Sequence, residues 1–411
     1  MNSDNNTNPT NKSGESTSRR NFLTGATTGF TTLGASMVLQ GCSQSTTTPS
    51  STPGSIVITR IEAIPVAVPW KMELVIKPEY DVGKYAFSPF STVPKCILKI
   101  YGDNGLMGVG ETKRGYNVEG VQQNINFLTG KNVFDLNFAD STLGLPHSRT
   151  IWAFEMAIYD LIGKTWGVPV WQLLGGKYQD KVAVSCWTGR WDGPGMERVV
   201  SQFRDMGYQT IKFKGRPGDP IVDEFKAINR AAPDMKIICD INTAFETPDE
   251  FIRFAKQIED YNVEGIEDPI PIDLEDYARL RERINVPLAI TITNPATVIE
   301  AAKLGSCDII NLKNPLRDFV KLTHVADAAG FKGWHGSGLE LGPMDVSFVH
   351  AAAATPNCTV GSDILGHLIR VDDVLSKSYT VENGYASVPN DPGLGCVLDE
   401  DALEKYRVKK Y

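Results

Sequence analysis

The sequence predicts an α/β protein in which a parallel β-barrel with outer helices follows a smaller domain of mixed strands and helices. From about residue 182, apolar strand-like runs alternate with helical stretches, and eight runs are centred near positions 184, 212, 238, 266, 290, 310, 333 and 360. Four of these runs lead into ionisable side chains, namely Lys214, Asp240, Glu267 and Lys313. Eight strand–helix units fit a closed barrel whose strands open into a catalytic mouth. The pattern therefore indicates an enzyme.

The composition allows a large core and limits the possible partners. With 411 residues, of which 42% are hydrophobic, the chain is long enough for two domains. The net charge is -8, and the Lys and Arg residues are scattered along the sequence. Because phosphate binding needs a clustered basic face, the sequence argues against a nucleic-acid partner. Assembly into a homo-oligomer remains open.

The first 55 residues are predicted to lie outside the folded domains. The segment Ser18-Arg19-Arg20-Asn21-Phe22-Leu23 precedes a weakly apolar run that ends in Leu39-Gln40-Gly41-Cys42. This arrangement resembles a bacterial twin-arginine export signal with a lipoprotein cleavage box. The resemblance implies a signal over residues 1–42, a flexible linker over residues 43–55, and an exported protein of the periplasm or cell envelope. Lipidated Cys42 would be its only membrane anchor; the alternative is a disordered tail with a chance Arg pair.

Residues 56–180 are predicted to form the smaller α+β domain. Its strand-like segments are Ile56–Val68, Lys95–Tyr101 and Leu106–Gly110, the last two joined by the turn Asp103-Asn104-Gly105. Its clearest helix covers Thr150–Trp166 and stops at Gly167 and Pro169. The barrel is predicted over residues 181–363, with helices that include Pro248–Asp260, capped by Thr247, and Asp276–Ile284. Residues 364–411 are expected to pack back on the first domain.

Cysteine usage predicts neither a zinc site nor a redox site. The six cysteines after Cys42 are far apart in sequence and form no CxxC pair. We interpret them as small buried thiols.

Two lysines alternate on one predicted strand, in Lys212-Phe213-Lys214. The period of two places both ammonium groups on one face and turns Phe213 to the other. Like charges about 6 Å apart repel by roughly 3 kcal/mol at an effective dielectric of about 20, and burial adds to this cost. Both effects are expected to depress the lysine pKa values and to produce an amine able to take a proton. The alternative is a pair of exposed lysines on an edge strand.

Asp240 and Glu267 end successive strands, so their carboxylates should share one pocket. There they must meet a cation or be protonated, and a hard divalent ion suits oxygen ligands. Lys313 follows a strand four units from that of Lys214, so the two lysines would lie opposite each other across a bound substrate. A strand-end acid could instead cap a helix, which is the interpretation favoured for Asp268, and Lys313 could be a solvated loop residue.

Together these motifs resemble the enolase superfamily, in its mandelate racemase and muconate lactonizing family. The resemblance covers residues 56 to about 400. It rests on the domain order and on Lys212-Phe213-Lys214, Asp240 with Asn242, Glu267-Asp268-Pro269, Lys313, the helical stretch Ala153-Phe154-Glu155-Met156-Ala157-Ile158-Tyr159-Asp160-Leu161-Ile162-Gly163-Lys164, and Leu173-Leu174-Gly175-Gly176.

The resemblance implies a modified TIM barrel of (β/α)7β type with an N-terminal α+β capping domain. It further implies Mg²⁺ bound through three strand-end acids, a small carboxylate substrate held on the metal, and removal of the adjacent proton to give an enediolate. The implied metal ligands present are Asp240, Asn242 and Glu267. Lys214 would be the base on one face, Lys313 the acid or base on the other, and Lys212 a support for Lys214. Glu340 matches a polar position near the site, although a surface loop glutamate is the alternative.

The sequence departs from the family pattern on two strands and in one loop. The fifth strand, Pro287–Asn294, lacks the third acid expected near Ile292, and only Thr291, Thr293 or Asn294 could offer a neutral oxygen. Losing one carboxylate should weaken Mg²⁺ binding considerably. The loop after Lys313 reads Asn314-Pro315-Leu316-Arg317, without the small residues that the family suggests. The seventh strand ends in His335, a further acid/base or ligand candidate that could equally be structural.

Three hypotheses follow for the activity. The first is a metal-dependent enzyme of the superfamily that racemises or epimerises, cycloisomerises or dehydrates a small carboxylate. The second is an exported binding protein for small acids that has lost the third metal ligand and turnover. The third is a Schiff-base lyase that uses Lys214 or Lys313. Substrate choice is assigned by the resemblance to loops of the first domain, around Lys71–Phe90.

Overall fold

The computed structural model describes residues 54–81 and 91–408. The predicted signal over residues 1–42, with Cys42, and nearly all of the predicted linker lie outside the described residues. Within the described part of the chain, no helix is long and apolar enough to cross a membrane.

A three-stranded antiparallel sheet with the order β1-β2-β3 opens the fold. Its strands are β1 (Ile58–Pro69), β2 (Thr92–Gly102) and β3 (Met107–Glu111). The long helix α3 (Ile151–Trp166) packs on β3 and ends at Gly167, whose φ of 68° suits a left-handed C-cap. A side chain at Gly108 or Gly110 would overlap the backbone of α3, so these two glycines permit the close approach. The predicted hairpin and helix are both confirmed.

The barrel sheet contains seven parallel strands in the order β11-β10-β9-β8-β7-β6-β5. They are β5 (Cys186–Thr188), β6 (Thr210–Lys214), β7 (Lys236–Asp240), β8 (Val263–Glu267), β9 (Leu288–Ile292), β10 (Ile309–Leu312) and β11 (Lys332–His335). Residues 357–363 close the circle without forming a regular strand, through bridges from Cys358 to Gly333 and from Ser362 to Val184. The modified TIM barrel predicted from the sequence is thus confirmed. The run predicted near position 184 corresponds to this bridge and to β5, which starts two residues later.

Helices follow the strands, as the alternation in the sequence predicts. They are α1 (Met72–Val75), α2 (Val118–Leu128), α4 (Val170–Leu173), α5 (Gly193–Asp205), α6 (Ile221–Ala231), α7 (Pro248–Ala255), α8 (Leu274–Arg281), α9 (Pro295–Leu304), α10 (Leu316–Ala328), α11 (Gly342–Ala353), α12 (Gly366–Ile369) and α13 (Glu400–Lys405), with 3₁₀ turns at Pro78–Tyr80, Val133–Asp135 and Ser148–Thr150. Thr247 caps α7 by accepting a hydrogen bond from the Glu250 amide, as predicted. The helix itself ends at Ala255, five residues before the predicted end.

The remaining strands tie the end of the chain to both earlier parts. They are β4 (Lys181–Ala183), β12 (Leu375–Lys377), β13 (Val381–Glu382), β14 (Tyr385–Ser387) and β15 (Val397–Leu398). Strand β14 pairs with β4, which directly precedes the first barrel strand in the chain. The backbone of Val408 donates to Pro65, and that of Ala67 to Tyr406, so the last described residues lie along β1.

Inside the barrel, an apolar layer supports a polar one. The apolar layer consists of five buried side chains, Ile238, Ala289, Ile309, Trp334 and Val360. Two residues further along β7, β9 and β10, the inward-facing side chains are polar, namely Asp240, Thr291 and Asn311, because alternate residues of a strand share a face. The polar layer therefore lies at the carboxyl ends of the strands. The six cysteines of the described region are all free and buried, as the sequence analysis predicts.

Candidate active site

Three lysines and three carboxylates form the centre of the polar layer. The ammonium group of Lys214, on β6, pairs with the carboxylate of Asp240 on β7. Lys212 pairs with Glu267 on β8 and also lies 2.7 Å from Asp363, the last residue of the closing segment. Phe213 points outward to the helices, where its ring meets that of Phe225. The alternation in Lys212-Phe213-Lys214 thus has the geometry predicted for it.

The electrostatic prediction for this lysine pair is wrong at Lys212. Burial by itself lowers the pKa of Lys212, but the charges of Asp363, Glu267 and Asp240 outweigh it, and the pKa is raised. Attraction to the surrounding carboxylates, which no local pattern reveals, outweighs repulsion between the two lysines. Burial likewise raises the pKa of Asp240, but the charges of the neighbouring lysines outweigh burial, and the net shift is downward. Lys212 is therefore a permanent cation that holds carboxylates in place.

Glu267 is the hub of the cluster. Its Oε1 atom accepts hydrogen bonds from the Asn311 amide and, at 3.3 Å, from the Thr291 hydroxyl. The same oxygen lies 3.7 Å from the ammonium group of Lys313. Glu267 is fully buried, whereas 31% of the Lys313 side chain is exposed, so Lys313 reaches the cluster from the rim of the barrel. The structure thus brings Lys212, Lys214, Asp240, Glu267 and Lys313 into one connected group.

Asn242 lies in the loop directly after β7 and faces two cations. Its Oδ1 atom accepts hydrogen bonds from the Arg216 guanidinium at 2.7 Å and from the Lys214 ammonium at 3.3 Å. The backbone amide of Asn242 donates a hydrogen bond to Asp240 Oδ1 at 2.9 Å. Asn242 and its neighbour Thr243 have positive φ values of 49° and 58°. Such a backbone costs energy for residues other than glycine and is common at functional loops.

Asp268 does not cap a helix, contrary to the prediction, since the N-cap of α8 is Asp273. Its carboxylate instead accepts hydrogen bonds from the amide and, at 2.7 Å, from the hydroxyl of Thr291. Burial, followed by the charge of Glu267, raises the pKa of Asp268 to about 6. Asp268 therefore belongs to the polar layer, where its carboxylate and that of Glu267 repel each other.

Thr291 occupies the place on the fifth barrel strand where the third acid is expected. Its side chain points into the barrel and contacts Glu267 and Asp268, whereas Ile292 is buried among the outer apolar residues. A hydroxyl donates its one hydrogen, here over the shorter contact to Asp268, where an acid would add a third negative charge. The neutral oxygen anticipated from the sequence is thus that of Thr291.

The donor set does not match a three-carboxylate Mg²⁺ site. Superfamily members generally use Mg²⁺, but across residues 54–81 and 91–408 no group of three or more His, Cys, Asp or Glu side chains is placed to hold a metal ion. The oxygens of Asp240, Asn242 and Glu267 are already engaged by lysine, arginine and amide groups. Their assignment as metal ligands stays a prediction.

His335 lies outside this connected group. Its ring is stacked between Phe319, at 4.3 Å, and Phe348, at 3.7 Å, on the helical side of β11. Burial lowers its pKa to about 3, so the ring is neutral near pH 7. Trp334, the preceding residue, is the one that faces the barrel interior. The structure therefore favours the structural alternative for His335.

Glu340 is buried, so the surface-loop alternative does not hold. Its carboxylate accepts hydrogen bonds from the Ser337 hydroxyl and the Gly338 amide, which closes a tight turn after β11. On the far side of this turn, Glu111 pairs with Lys95 and accepts from the amides of Leu341 and Met344. Glu111 thereby anchors the start of α11 to the first domain.

Three contributors to the site were not recognised in the sequence. Asp363 ends the closing segment. In the sequence it follows the apolar run near position 360, so an acid at the end of a predicted strand was the available signal. Asn311 precedes Lys313 by two residues, which repeats the spacing of Lys212 and Lys214. Arg216 carried no such signal, because its guanidinium binds backbone oxygens of Asp240 and Ile241 that only the folded loop presents.

Comparisons with known proteins agree with this geometry. Residues 195–402 match the family described as enolase C-terminal domain-like. The o-succinylbenzoate synthase of Bacillus subtilis is 30% identical over 62% of this chain and 70% of its own length. The N-succinyl-L-Arg/Lys racemase of Bacillus cereus is 26% identical over 79% of this chain and 93% of its own. Other relatives are a muconate cycloisomerase and a D-xylonate dehydratase.

Solved structures extend the match to both domains. A crystal structure described as an enolase from Mycobacterium smegmatis, complexed with formate and acetate, superposes with a TM-score of 0.73 at 25% identity. The alignment covers 87% of this chain and 92% of that one. The matched family region and these relatives show that the chain belongs to the enolase superfamily, as an isomerase- or lyase-type enzyme of the mandelate racemase and muconate lactonizing family.

Proposed function

We propose that this enzyme removes the proton next to the carboxylate of a small organic acid and passes through an enediolate. The product would be a racemised or epimerised, cycloisomerised or dehydrated acid. The observation that carries the proposal is the convergence of Lys214 and Lys313 on the carboxylate layer from strands that lie four places apart in the sheet. Two basic groups on opposite sides can address both faces of a bound carbon acid.

Lys214 is the proposed base or acid on one face. It lies at the end of β6 with 19% of its side chain exposed, so a substrate in the mouth can reach its nitrogen. Asp240 and Asn242 hold that nitrogen in position. A lysine accepts a proton as the neutral amine and returns it as the ammonium, and placement within hydrogen-bond reach is the first requirement for either role.

Lys313 is the proposed partner on the other face. Its alkyl chain packs against Gly336, where an added Cβ would lie 2.5 Å from Cε of the lysine. A side chain at position 336 would overlap Asn311 Oδ1 and force Lys313 to shift, so glycine suits this position. In a racemisation Lys313 would deliver the proton on the face opposite Lys214, and in a one-sided elimination or cycloisomerisation its ammonium would stabilise the developing negative charge.

Charge neutralisation is the largest energetic demand of this chemistry, because the enediolate carries a second negative charge as it forms. Among the described residues, the ammonium groups of Lys214 and Lys313 lie partly exposed at the carboxylate layer, and that of Lys212 is buried within it. Since Thr291 replaces an acid, no step is assigned to a metal ion.

A second candidate is the small-acid-binding protein without turnover. It is favoured by Thr291 and by the complete pairing of the three lysines with Asp240, Glu267 and Asp363, which leaves the cluster neutral. Exchange of the α-proton with deuterium, followed by NMR in D₂O over a panel of acids that includes N-succinyl amino acids, separates the two. Exchange with at least one acid is expected of the enzyme; binding of the acids without any exchange would establish the second candidate.

We also propose that the protein acts outside the cytosol, attached to the cell envelope through lipidated Cys42. The support is the twin-arginine segment and the cleavage box ending at Cys42 in the sequence. A homo-oligomer is a further proposal, which molecular-mass measurement in solution would test.

A further inference from the structure

Lys313 lies just beyond the last paired residue of its strand. Strand β10 ends at Leu312, and its pairing with both neighbouring strands ends there as well. The position of Lys313 therefore depends on what holds the connection to α10, the segment Asn314-Pro315-Leu316-Arg317 in which the sequence departs from the family pattern. On the barrel side, the side chain of Asn314 donates a hydrogen bond to the backbone oxygen of Thr293 at 3.0 Å.

Arg317 joins this connection to the first domain. It lies in the first turn of α10, and all three nitrogens of its guanidinium donate to the first domain. Its Nε donates to Glu155 Oε1 on α3 at 2.6 Å. The two terminal nitrogens donate to the backbone oxygen of Phe138 and, at 3.0 Å, to that of Asp140. A lysine could not reproduce this planar fork, because it carries a single nitrogen.

The groups that accept from Arg317 are themselves held in place. The ring of Phe138 meets that of Tyr159 on α3 edge-on, with 6.0 Å between ring centres. The carboxylate of Asp140 accepts hydrogen bonds from the amide and the hydroxyl of Thr142, which fixes the turn. Glu155 is buried, and burial raises its pKa to about 7 against the opposing charge of Arg317. Above that pH the pair is charged on both sides, and its two partners depend on each other.

Lys214 is held differently. Its ammonium group is positioned by Asp240 and Asn242, which both belong to the barrel. A change at the contact between α10 and the first domain should therefore affect Lys313 and leave Lys214 in place.

We propose that Arg317 is a positioning residue, which fixes the loop carrying Lys313 against the first domain, so that proton transfer on the Lys313 face depends on this contact between the domains. The inference rests on the proposed function only in the role given to Lys313. Arg317 acts through Lys313 and takes no part in proton transfer.

The test measures the reactivity of individual lysines in the folded protein. Trace labelling with isotopic acetic anhydride at pH 8.5, followed by peptide mass spectrometry, reports Lys313 and Lys214 in the same sample. Arg317→Lys keeps the charge but loses the fork, and Glu155→Gln keeps the acceptor oxygen but loses the charge. Both variants should make Lys313 react about 3-fold or more faster, because its ammonium group moves away from Glu267 into solvent. The labelling of Lys214 should stay at the wild-type level.

Lys77→Met provides the matched control. Lys77 also joins the first domain to the barrel, through an ion pair of 2.8 Å with Asp192 at the start of α5. Its replacement removes one contact between the domains on the β5 side of the barrel. The labelling of Lys313 should therefore stay at the wild-type level in this variant.

Two results would overturn the proposal. One is wild-type labelling of Lys313 in both Arg317→Lys and Glu155→Gln. The other is equal acceleration of Lys313 and Lys214, which a general loosening of the fold would produce. With an acid that the wild type exchanges, Arg317→Lys should also slow exchange on the Lys313 face about 10-fold, with the Lys214 face within about 2-fold of wild type. Absence of exchange by the wild type would count against the proposed function, and the labelling would still decide the role of Arg317.

Discussion

Replacing Thr291 with aspartate should convert the neutral site into one that requires a divalent cation. The Thr291 hydroxyl lies 2.7 Å from Asp268 Oδ2 and 3.3 Å from Glu267 Oε1. A carboxylate there replaces a donated hydrogen bond with like-charge contacts to both Asp268 and Glu267. At about 4 Å and an effective dielectric of about 20, each like-charge contact costs roughly 4 kcal/mol before the structure or protonation adjusts. We therefore expect Thr291→Asp to lose about 2–4 kcal/mol of unfolding free energy without metal.

A bound divalent ion should restore that stability. Saturation at about 100 times the dissociation constant stabilises a protein by about 2.7 kcal/mol, which is close to the expected loss. The assay is thermal and urea unfolding of wild type and Thr291→Asp with EDTA, Mg²⁺ or Mn²⁺, together with the metal content of dialysed protein. Wild type should respond weakly to the ions, and the variant should recover with them.

Thr293→Asp is the control for the added charge. Thr293 lies two residues further along and is exposed, so the same change in net charge falls on the surface. It should alter the unfolding free energy by less than about 0.5 kcal/mol. Equal stability of Thr291→Asp and wild type in EDTA, with no response to Mg²⁺ or Mn²⁺, would refute the assignment of Thr291 to the ligand position.

Four further predictions address catalysis, stability, pH dependence and location. Lys214→Ala should reduce α-proton exchange by at least about 100-fold, because the proton acceptor is lost, while circular dichroism shows the fold retained; the melting temperature should fall, because buried Asp240 loses its ion-pair partner. Asp363→Asn should cost about 3–5 kcal/mol of unfolding free energy, because it leaves buried Lys212 with one charged partner fewer. Asp268 has a folded-state pKa of about 6 against an ordinary 3.8, so its protonation stabilises the fold below about pH 4, and this contribution is lost as pH rises through 6. Relative to Asp268→Asn, wild type should therefore lose about 2–3 kcal/mol between pH 4 and pH 7 in urea titrations. Cys42→Ser should release the exported protein from the membrane fraction, as cell fractionation would show.

Each of these four predictions can be contradicted by a specific result. Full exchange by Lys214→Ala would remove that lysine from the mechanism. An Asp363→Asn variant as stable as wild type would mean that Glu267 alone compensates the Lys212 charge. A constant stability difference between wild type and Asp268→Asn across the pH range would contradict the raised pKa. Membrane association that survives Cys42→Ser would contradict the lipid anchor.

The local sequence pattern was sufficient to predict the barrel and most of the side chains in its polar layer. The alternation in Lys212-Phe213-Lys214 determines which side chains face inward, because the side-chain period of a strand is two. Asp240 and Glu267 end adjacent strands, so parallel pairing brings them to one rim wherever the outer helices lie. The absence of an acid near Ile292 was likewise visible in the sequence.

Tertiary structure decided the charge state of the site and the identity of several partners. Spacing along a strand reveals the lysine pair but not the carboxylates that other strands place around it, so the predicted depression of the Lys212 pKa was wrong in sign. His335 ends a barrel strand as Lys214 does, yet its ring turns toward the helices and stacks between aromatic side chains. Charges interact through space, and only the closed barrel with its cap determines which of them are neighbours.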